Sequence, residues 1–334
     1  MKKLLVLLSL TLVFCIVISG CGKADDLKKA NELYEAGDFA AAIELFKSAA
    51  EDGNGEALFQ LGRMYLFGQG VDVDYDLAWE NSEKAVKAGY PLAANTLGVM
   101  CQNALGRERD MEAAIKYYET AAEAGSEKAC SNLGNIYLNG FFVEPDYEKA
   151  YNYLIKAYEG GMVNAAASIS DIYQLGLGRD VDYAAALEWA KKGADAGNTN
   201  CMISMASLYL FGHGVEQSYE QAFTWFATAA ELGDALAFNN LGDLYENGLY
   251  VEQDFAKAKE CYEKAVELGE YFGYVSLGAL YEEGHGVEKN LEKMNRGPVT
   301  QIWDKVVALW KAFINPEVPL YKKTIIIIRL LSNK

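Results

Sequence analysis

The strongest constraint on this chain is a period. The segment Leu61-Gly62-Arg63-Met64-Tyr65-Leu66-Phe67-Gly68-Gln69-Gly70-Val71 returns, altered, down most of the sequence. Its tyrosine marks the step: Tyr65, Tyr137, Tyr173, Tyr209, Tyr245 and Tyr281, with Cys101 in the remaining slot, each 36 residues apart. A fixed period in the range of about 20–50 residues denotes an array of small units, each burying its apolar face against the next. Such an array grows by stacking, so 334 residues do not translate into a count of globular domains.

The punctuation within one period gives two helices. Asp38, Asp74, Asp110, Asp146, Asp182, Ser218, Asp254 and Asn290 stand before the second helix (helix B) of successive units. Each has a short side-chain oxygen that can accept an orphan N–H of the first turn. Helix B ends before Gly53, Gly89, Gly125, Gly161, Gly197, Gly233 and Gly269, and the first helix (helix A) before Gly68, Gly140, Gly176, Gly212, Gly248 and Gly284; glycine suits the left-handed residue that closes a helix. Small residues recur inside helix A at Gly62, Gly98, Gly134, Ser170, Ala206, Gly242 and Gly278, and inside helix B at Ala78, Ala114, Ala150, Ala186, Ala222 and Ala258. They predict close helix approach. Tyr75, Tyr147, Tyr183, Tyr219 and Phe255 are expected to fill the space between neighbouring pairs.

The signature Leu-Gly-x-x-Tyr-x-x-Gly-x-Gly-Val, followed by Asp-Tyr-x-x-Ala and a closing Ala-Gly or Leu-Gly, resembles the Sel-1-like repeat, a cousin of the tetratricopeptide repeat. The resemblance covers residues 54–293 and implies an all-α fold: an α/α superhelical solenoid of stacked antiparallel helix pairs. Residues 21–53 precede it, and Ala30-x-x-Leu33-Tyr34-x-x-Gly37-Asp38-Phe39-x-x-Ala42 resembles a tetratricopeptide unit with its short turn. Two units depart from the pattern. Ala104 and Arg107 replace the loop Gly and Val in one, and Ser170 and Arg179 replace Gly and Val in the other, which leaves local loop shape open.

Residues 1–20 read as a targeting segment: Lys2 and Lys3, an apolar run from Leu4 to Ile18, then Ile18-Ser19-Gly20-Cys21. This resembles the lipobox of bacterial lipoprotein signal peptides, which implies cleavage before Cys21 and lipid on its sulfur and new N-terminus. An ordinary signal peptide or an uncleaved anchor helix is the alternative. More than one acyl chain is needed for stable attachment. At the other end, residues 294–334 break the period. Leu309-Trp310-Lys311 and Pro316-Glu317-Val318-Pro319-Leu320-Tyr321-Lys322-Lys323 resemble the start of a YkvA-like domain; a divergent capping helix is the other reading. The run of four isoleucines is too short to span a bilayer.

A net charge of −17 argues against a nucleic-acid groove and against adhesion to anionic lipid. No catalytic constellation, cofactor motif or metal motif stands out. His213 and His285 share one Gly-His-Gly-Val loop slot and are expected to be exposed loop residues. The Gly-x-Gly pairs follow from the repeat and do not signal a dinucleotide. Cys101, Cys130, Cys201 and Cys261 form no CxxC pair and are expected to be buried, reduced and inert. The surface that remains is helix A. In tetratricopeptide-type units the lining positions flank the core pair and recur one turn on. Here these are Gln60, Arg63, Asn95, Gln102, Asn132, Asn135, Asp171, Gln174, Asn239, Asn240, Asp243 and Glu246. Asn and Gln can bond an extended peptide through donor and acceptor together. The expectation is therefore a non-catalytic, lipid-anchored scaffold of the bacterial envelope, facing outside the cytoplasm and binding a protein or peptide without a cofactor. A cell-wall or β-lactam-related hydrolase, or a regulatory subunit of an envelope complex, is the alternative.

Overall fold

Thirteen residues between an Asp or Ser cap and a glycine-marked exit make a helix of just over three turns, and the structure repeats that element along the chain. The computed structural model describes residues 26–285 except residue 141. The lipobox-like segment with Cys21, Asn290 and the YkvA-like stretch lie outside the described residues. In order come α1 (26–35), α2 (Phe39–Glu51), α3 (Gly55–Phe67), α4 (Tyr75–Lys87), α5 (Ala94–Asn103), α6 (Met111–Glu123), α7 (Glu127–Asn139) and α8 (Tyr147–Glu159). Then follow α9 (Ala165–Leu175), α10 (Tyr183–Asp195), α11 (Thr199–Phe211), α12 (Tyr219–Glu231), α13 (Ala235–Asn247), α14 (Phe255–Glu267) and α15 (Tyr271–Glu283). Odd numbers are helix A and even numbers helix B. The fold is all-α, of the superhelical repeat class, with no strand among the described residues. Packing separates two compact units, one made of residues up to 144 with 152–162, the other of 145–151 with residues from 163 onward.

The caps form where the sequence places them. Asp74 Oδ1 accepts from Leu77 N at 2.9 Å, and Asp38, Asp110, Asp146, Asp182, Ser218 and Asp254 do the same at their own helices. Helix A has its own cap slot, filled by Asn54, Ser126, Asn198, Asp234 and Glu270. In the two divergent units the slot holds Tyr90 and Met162. Neither side chain carries a short oxygen that reaches back to the first turn, so α5 starts behind a 3₁₀ turn at Pro91–Ala93 and α9 starts uncapped; they run 10 and 11 residues instead of 13.

The loops of those two units keep their shape. Each A–B loop is closed by the amide of the helix-B cap donating to the carbonyl of the marker residue: Asp74 to Tyr65, Asp110 to Cys101, and Asp182 to Tyr173, at 3.0–3.1 Å. Ala104 takes the left-handed conformation of the missing glycine (φ 58°). The replaced valine is explained by its partner. Val71 packs with Ile43 in the first apolar cluster, whereas the Arg107 guanidinium lies 3.3 Å from the Trp79 ring and Arg179 lies 3.8 Å from Tyr151. Residues 43, 79 and 151 stand 28 positions before 71, 107 and 179. In these two units arginine on an aromatic face takes the place of valine, with a cation–π attraction of about 0.5–2 kcal/mol.

The small residues of helix A are where α-helices touch. A Cβ on Gly98 would lie 2.6 Å from Tyr118 Cε1, and one on Gly134 2.7 Å from Leu154 Cγ. The same slot pairs Gly62 with Ser82, and Gly242 with Tyr262. Small faces large, or small faces small, across every such contact. The aromatic that opens helix B meets the next loop: a Cβ on Gly106 would lie 2.5 Å from Tyr75 Cβ, and one on Gly178 2.7 Å from Tyr147 Cβ. The aromatics thus fill the seam between pairs, although Tyr75 and Tyr219 keep an exposed edge. In two loops an aromatic occupies that glycine slot at positive φ, Phe142 at 64° and Tyr250 at 69°, and both are exposed.

Two outcomes test this packing. Gly98→Ala should destabilise the protein by about 1–3 kcal/mol in urea titration, because the neighbour it meets is a buried ring rather than a movable tip. A double-mutant cycle of Arg107→Val with Trp79→Ile should return a coupling of about 0.5–2 kcal/mol; a coupling near zero would show the stack to be incidental.

Candidate partner-binding face

Helix A presents one face built from three positions per unit. Two lie either side of the Leu-Gly core pair and the third one turn on, because residues three or four apart share a side of a helix. In the first unit Arg63 Nη1 donates to Gln60 Oε1 at 3.2 Å, and its guanidinium lies 5.8 Å from the Tyr34 ring and 5.6 Å from Phe59. Asn132 Nδ2 donates to Asn95 Oδ1 at 3.2 Å, linking α7 to α5. Gln102 Oε1 accepts from Tyr118 Oη at 2.7 Å. Asn135 is half-buried, and its carbonyl accepts from Asn139 Nδ2.

In the second unit Asn239 is buried and accepts from Ser276 Oγ at 3.2 Å, the counterpart of the Asn95–Asn132 link. Asn240 Nδ2 donates back to the Leu236 carbonyl. Tyr262 Oη lies 2.7 Å from Asp243 Oδ1 and 2.6 Å from Glu246 Oε2, and Glu246 Oε1 lies 3.8 Å from His285 Nδ1. The Tyr262 hydroxyl thus lies between the two carboxyl groups. Burial raises Asp243, the Tyr262 hydrogen bond pulls it back, and the charge of Glu246 raises it again. Gln174 is half-buried and Asp171 exposed. Asp171 has no hydrogen-bond or ion-pair partner among the described residues; protein crowding its flanks still strips enough water to push its carboxyl up to about 6.

The sequence-derived residues therefore divide. Asn95, Gln102, Asn132, Asn239, Asp243 and Glu246 stitch helices together, and Asn239 is too buried to serve as an open peptide contact. Of the others, Gln60 and Asn240 bond within their own helices, Arg63 also lies over the Tyr34 ring of α1, and Asn135, Asp171 and Gln174 stand on the same helix-A series. The stitching tyrosines were not among the candidates. Tyr118 and Tyr262 sit on helix B, and the gaps left by Gly98 and Gly242 let their rings pass beside helix A, so that each hydroxyl meets a residue four positions on. Gly at one position, Gln or Glu four later and Tyr twenty later is the sequence signal. A cleft of about 810 Å³ over α3 in the first unit was also not anticipated. Three lysines line it, and each is held by its own glutamate: Lys47 by Glu44, Lys84 by Glu80 and Lys87 by Glu83.

Histidine and cysteine supply no acid–base or nucleophilic pair here. His213 and His285 are half-buried rather than exposed, stacked on Tyr183 at 4.3 Å and Phe255 at 4.6 Å. Cys101, Cys130 and Cys201 are buried, while Cys261 is half-buried, against expectation. Burial pushes all four thiols up, Cys201 to about 12 and Cys261 to about 11, so none is a ready thiolate. Among the described residues no group of His, Cys, Asp and Glu could hold a metal ion, and no helix is long and apolar enough to cross a membrane.

Antiparallel helix pairs at a fixed step, sealed along a small-residue seam and stitched across helix A, define a two-helix repeat protein. The Sel1 repeat model matches residues 20–54, 55–90, 91–126, 127–162, 163–198, 199–234, 235–270 and 273–293, and the chain belongs to the Sel1 repeat family. Among solved structures it is similar to c5321, a protective antigen present in uropathogenic Escherichia coli strains and displaying an SLR fold, at 33% identity and a TM-score of 0.63. That match covers 81% of this chain but only 59% of c5321. It is also similar to a Sel1 repeat protein from Oxalobacter formigenes, at 26% identity and a TM-score of 0.68, over 72% of this chain and 96% of that one. No curated protein matches. Sel1 repeat proteins generally mediate protein–protein interaction, and their scaffold is generally non-catalytic.

The Asp171 carboxyl should titrate near 6 by carbon-detected NMR, against an ordinary value of 3.8. A folded value above the unfolded one means that its stabilising contribution is full below the unfolded value and is lost as pH rises through about 6. Asp171→Asn should therefore raise Tm at pH 7 and leave it unchanged at pH 4.

Proposed function

We propose that this chain is a non-catalytic scaffold of the bacterial cell envelope, held at a membrane by lipid on Cys21 and binding a protein partner across helix A. The observation that carries the binding half is the division of labour on that face. In the second unit buried stitches fix the helices, and beside them stand Asp171, Gln174 and Asn240. A rigid surface of this kind lowers the ordering cost of binding. The Cys21 half rests on the resemblance of Ile18-Ser19-Gly20-Cys21 to a lipobox, and it places the array outside the cytoplasm.

The test uses the full chain in its native membranes. Photo-crosslinkers at Gln174 and Asn240 should trap one discrete partner that a crosslinker at Glu112, exposed on α6, does not trap. Asn240→Arg should cut the adduct formed from position 174 at least tenfold, and Gln174→Arg the adduct formed from position 240, each at unchanged Tm. Trapping from Glu112 alone would move the site to helix B. Independently, Cys21→Ala should shift the protein from the membrane fraction to the soluble one; retention in the membrane would remove the lipid anchor from the proposal.

A further inference from the structure

The helix-A face of the second unit is charged in one direction only. α9, α11, α13 and α15 contain no Lys and no Arg, whereas α3 and α7 of the first unit carry Arg63 and Lys128. The ion pairs of the second unit lie mainly on helix B, for example Lys191–Asp195, Lys192–Glu188 and Lys259–Glu263. On helix A, by contrast, Asp171 has no hydrogen-bond or ion-pair partner among the described residues, and Asp243 and Glu246 share the Tyr262 phenol, with His285 Nδ1 3.8 Å from Glu246. Carboxylates crowded by protein with no cation beside them are those that gain most from one arriving.

The same face carries exposed apolar residues. Leu175 follows Asp171 by four positions on α9, and Phe211 follows Ser207 by four on α11; they are 63% and 62% exposed. Residues 171, 207 and 243 hold one register, 36 apart. α9 packs on α11, and at about 10 Å per helix-A step the expected span from Asp171 to Asp243 is about 20 Å. Extended chain rises about 3.3 Å per residue, so about six residues bridge that distance.

We propose that this face docks an extended basic segment of a partner protein, one Lys or Arg reaching Asp171, a second about six residues away reaching the Asp243–Glu246 pair, and an apolar residue between them meeting Phe211. The proposal rests on the helix-A reading above and specifies the chemistry of the partner. Ser207, small and half-buried between the two acidic stations, leaves room for a main chain.

The experiment measures fluorescence anisotropy of labelled synthetic peptides with the full chain in detergent. One peptide carries two Lys-Arg pairs six residues apart with Leu midway; the other has the same composition with the four cations contiguous. The spaced peptide should bind at least tenfold more tightly. Asp171→Asn should weaken it about tenfold at pH 7, where the carboxyl is ionised, at unchanged helicity and with Tm unchanged at pH 4. Glu112→Gln, the same charge change on α6, should leave it unaltered. Equal binding of the two peptides, equal loss with Glu112→Gln, indifference to Asp171→Asn, or no binding by either peptide would each overturn the proposal. The two readings fail separately: a native adduct that needs Gln174 and Asn240 but tolerates Asp171→Asn leaves helix A as the binding face and removes the basic segment.

Discussion

One contact per unit sets the rest: the point where helix A has no side chain and helix B presses a residue into the space. Because Gly98 and Gly134 leave no room even for a methyl group, the two backbones run close and the identity of the opposing residue decides what happens on the far side. Leu154 simply fills the gap. Tyr118 and Tyr262 pass through it and deliver a hydroxyl to the helix-A surface, where Gln102 or the Asp243–Glu246 pair receives it. Packing and surface chemistry are thus joined at a single position, and a core substitution there also alters the face.

Most of the architecture was legible because caps, glycines and period are local properties. Asp or Ser before helix B, glycine after each helix and a marker aromatic every 36 residues each act within a few positions, and each acts in the structure as the sequence suggests. The shortened α5 and α9 were legible in principle, since Tyr90 and Met162 cannot cap. What escaped was tertiary. The Arg107–Trp79 and Arg179–Tyr151 stacks pair residues 28 apart. The Asn95–Asn132 and Asn239–Ser276 links join residues 37 apart, one more than the period, so a comparison made strictly in register does not align them. Asn239 was for that reason placed among open surface residues, although it lies buried. His213 and His285 were read as exposed because a loop position gives no sign of the aromatic ring thirty residues earlier on which each stacks.

Electrostatics follows the same division between helices. On helix B and α1, Glu or Asp sits three or four residues from Lys, as in Glu80–Lys84, Glu112–Lys116 and Glu188–Lys192. Such exposed pairs each contribute about 0–1 kcal/mol and chiefly keep the outer surface wet and self-compensated. Helix A of the second unit has no such internal balance. Its few acidic groups have no Lys or Arg on the same helices, and the Tyr262 hydroxyl lies between Asp243 and Glu246.

The principal helix contacts also reach no further than two helices along the chain, as in α3 with α4, α9 with α11 and α13 with α15. Short loops between partners keep the entropy of closure small, and low contact order favours rapid folding. A ribosome or a translocation pore releases such a chain from its N-terminus, one pair at a time. Each pair finds its partner already waiting, so little apolar surface stands uncovered while the remainder is still threading through. Vectorial emergence, a hazard for folds whose first strand waits for the last, is for this array the natural order of assembly.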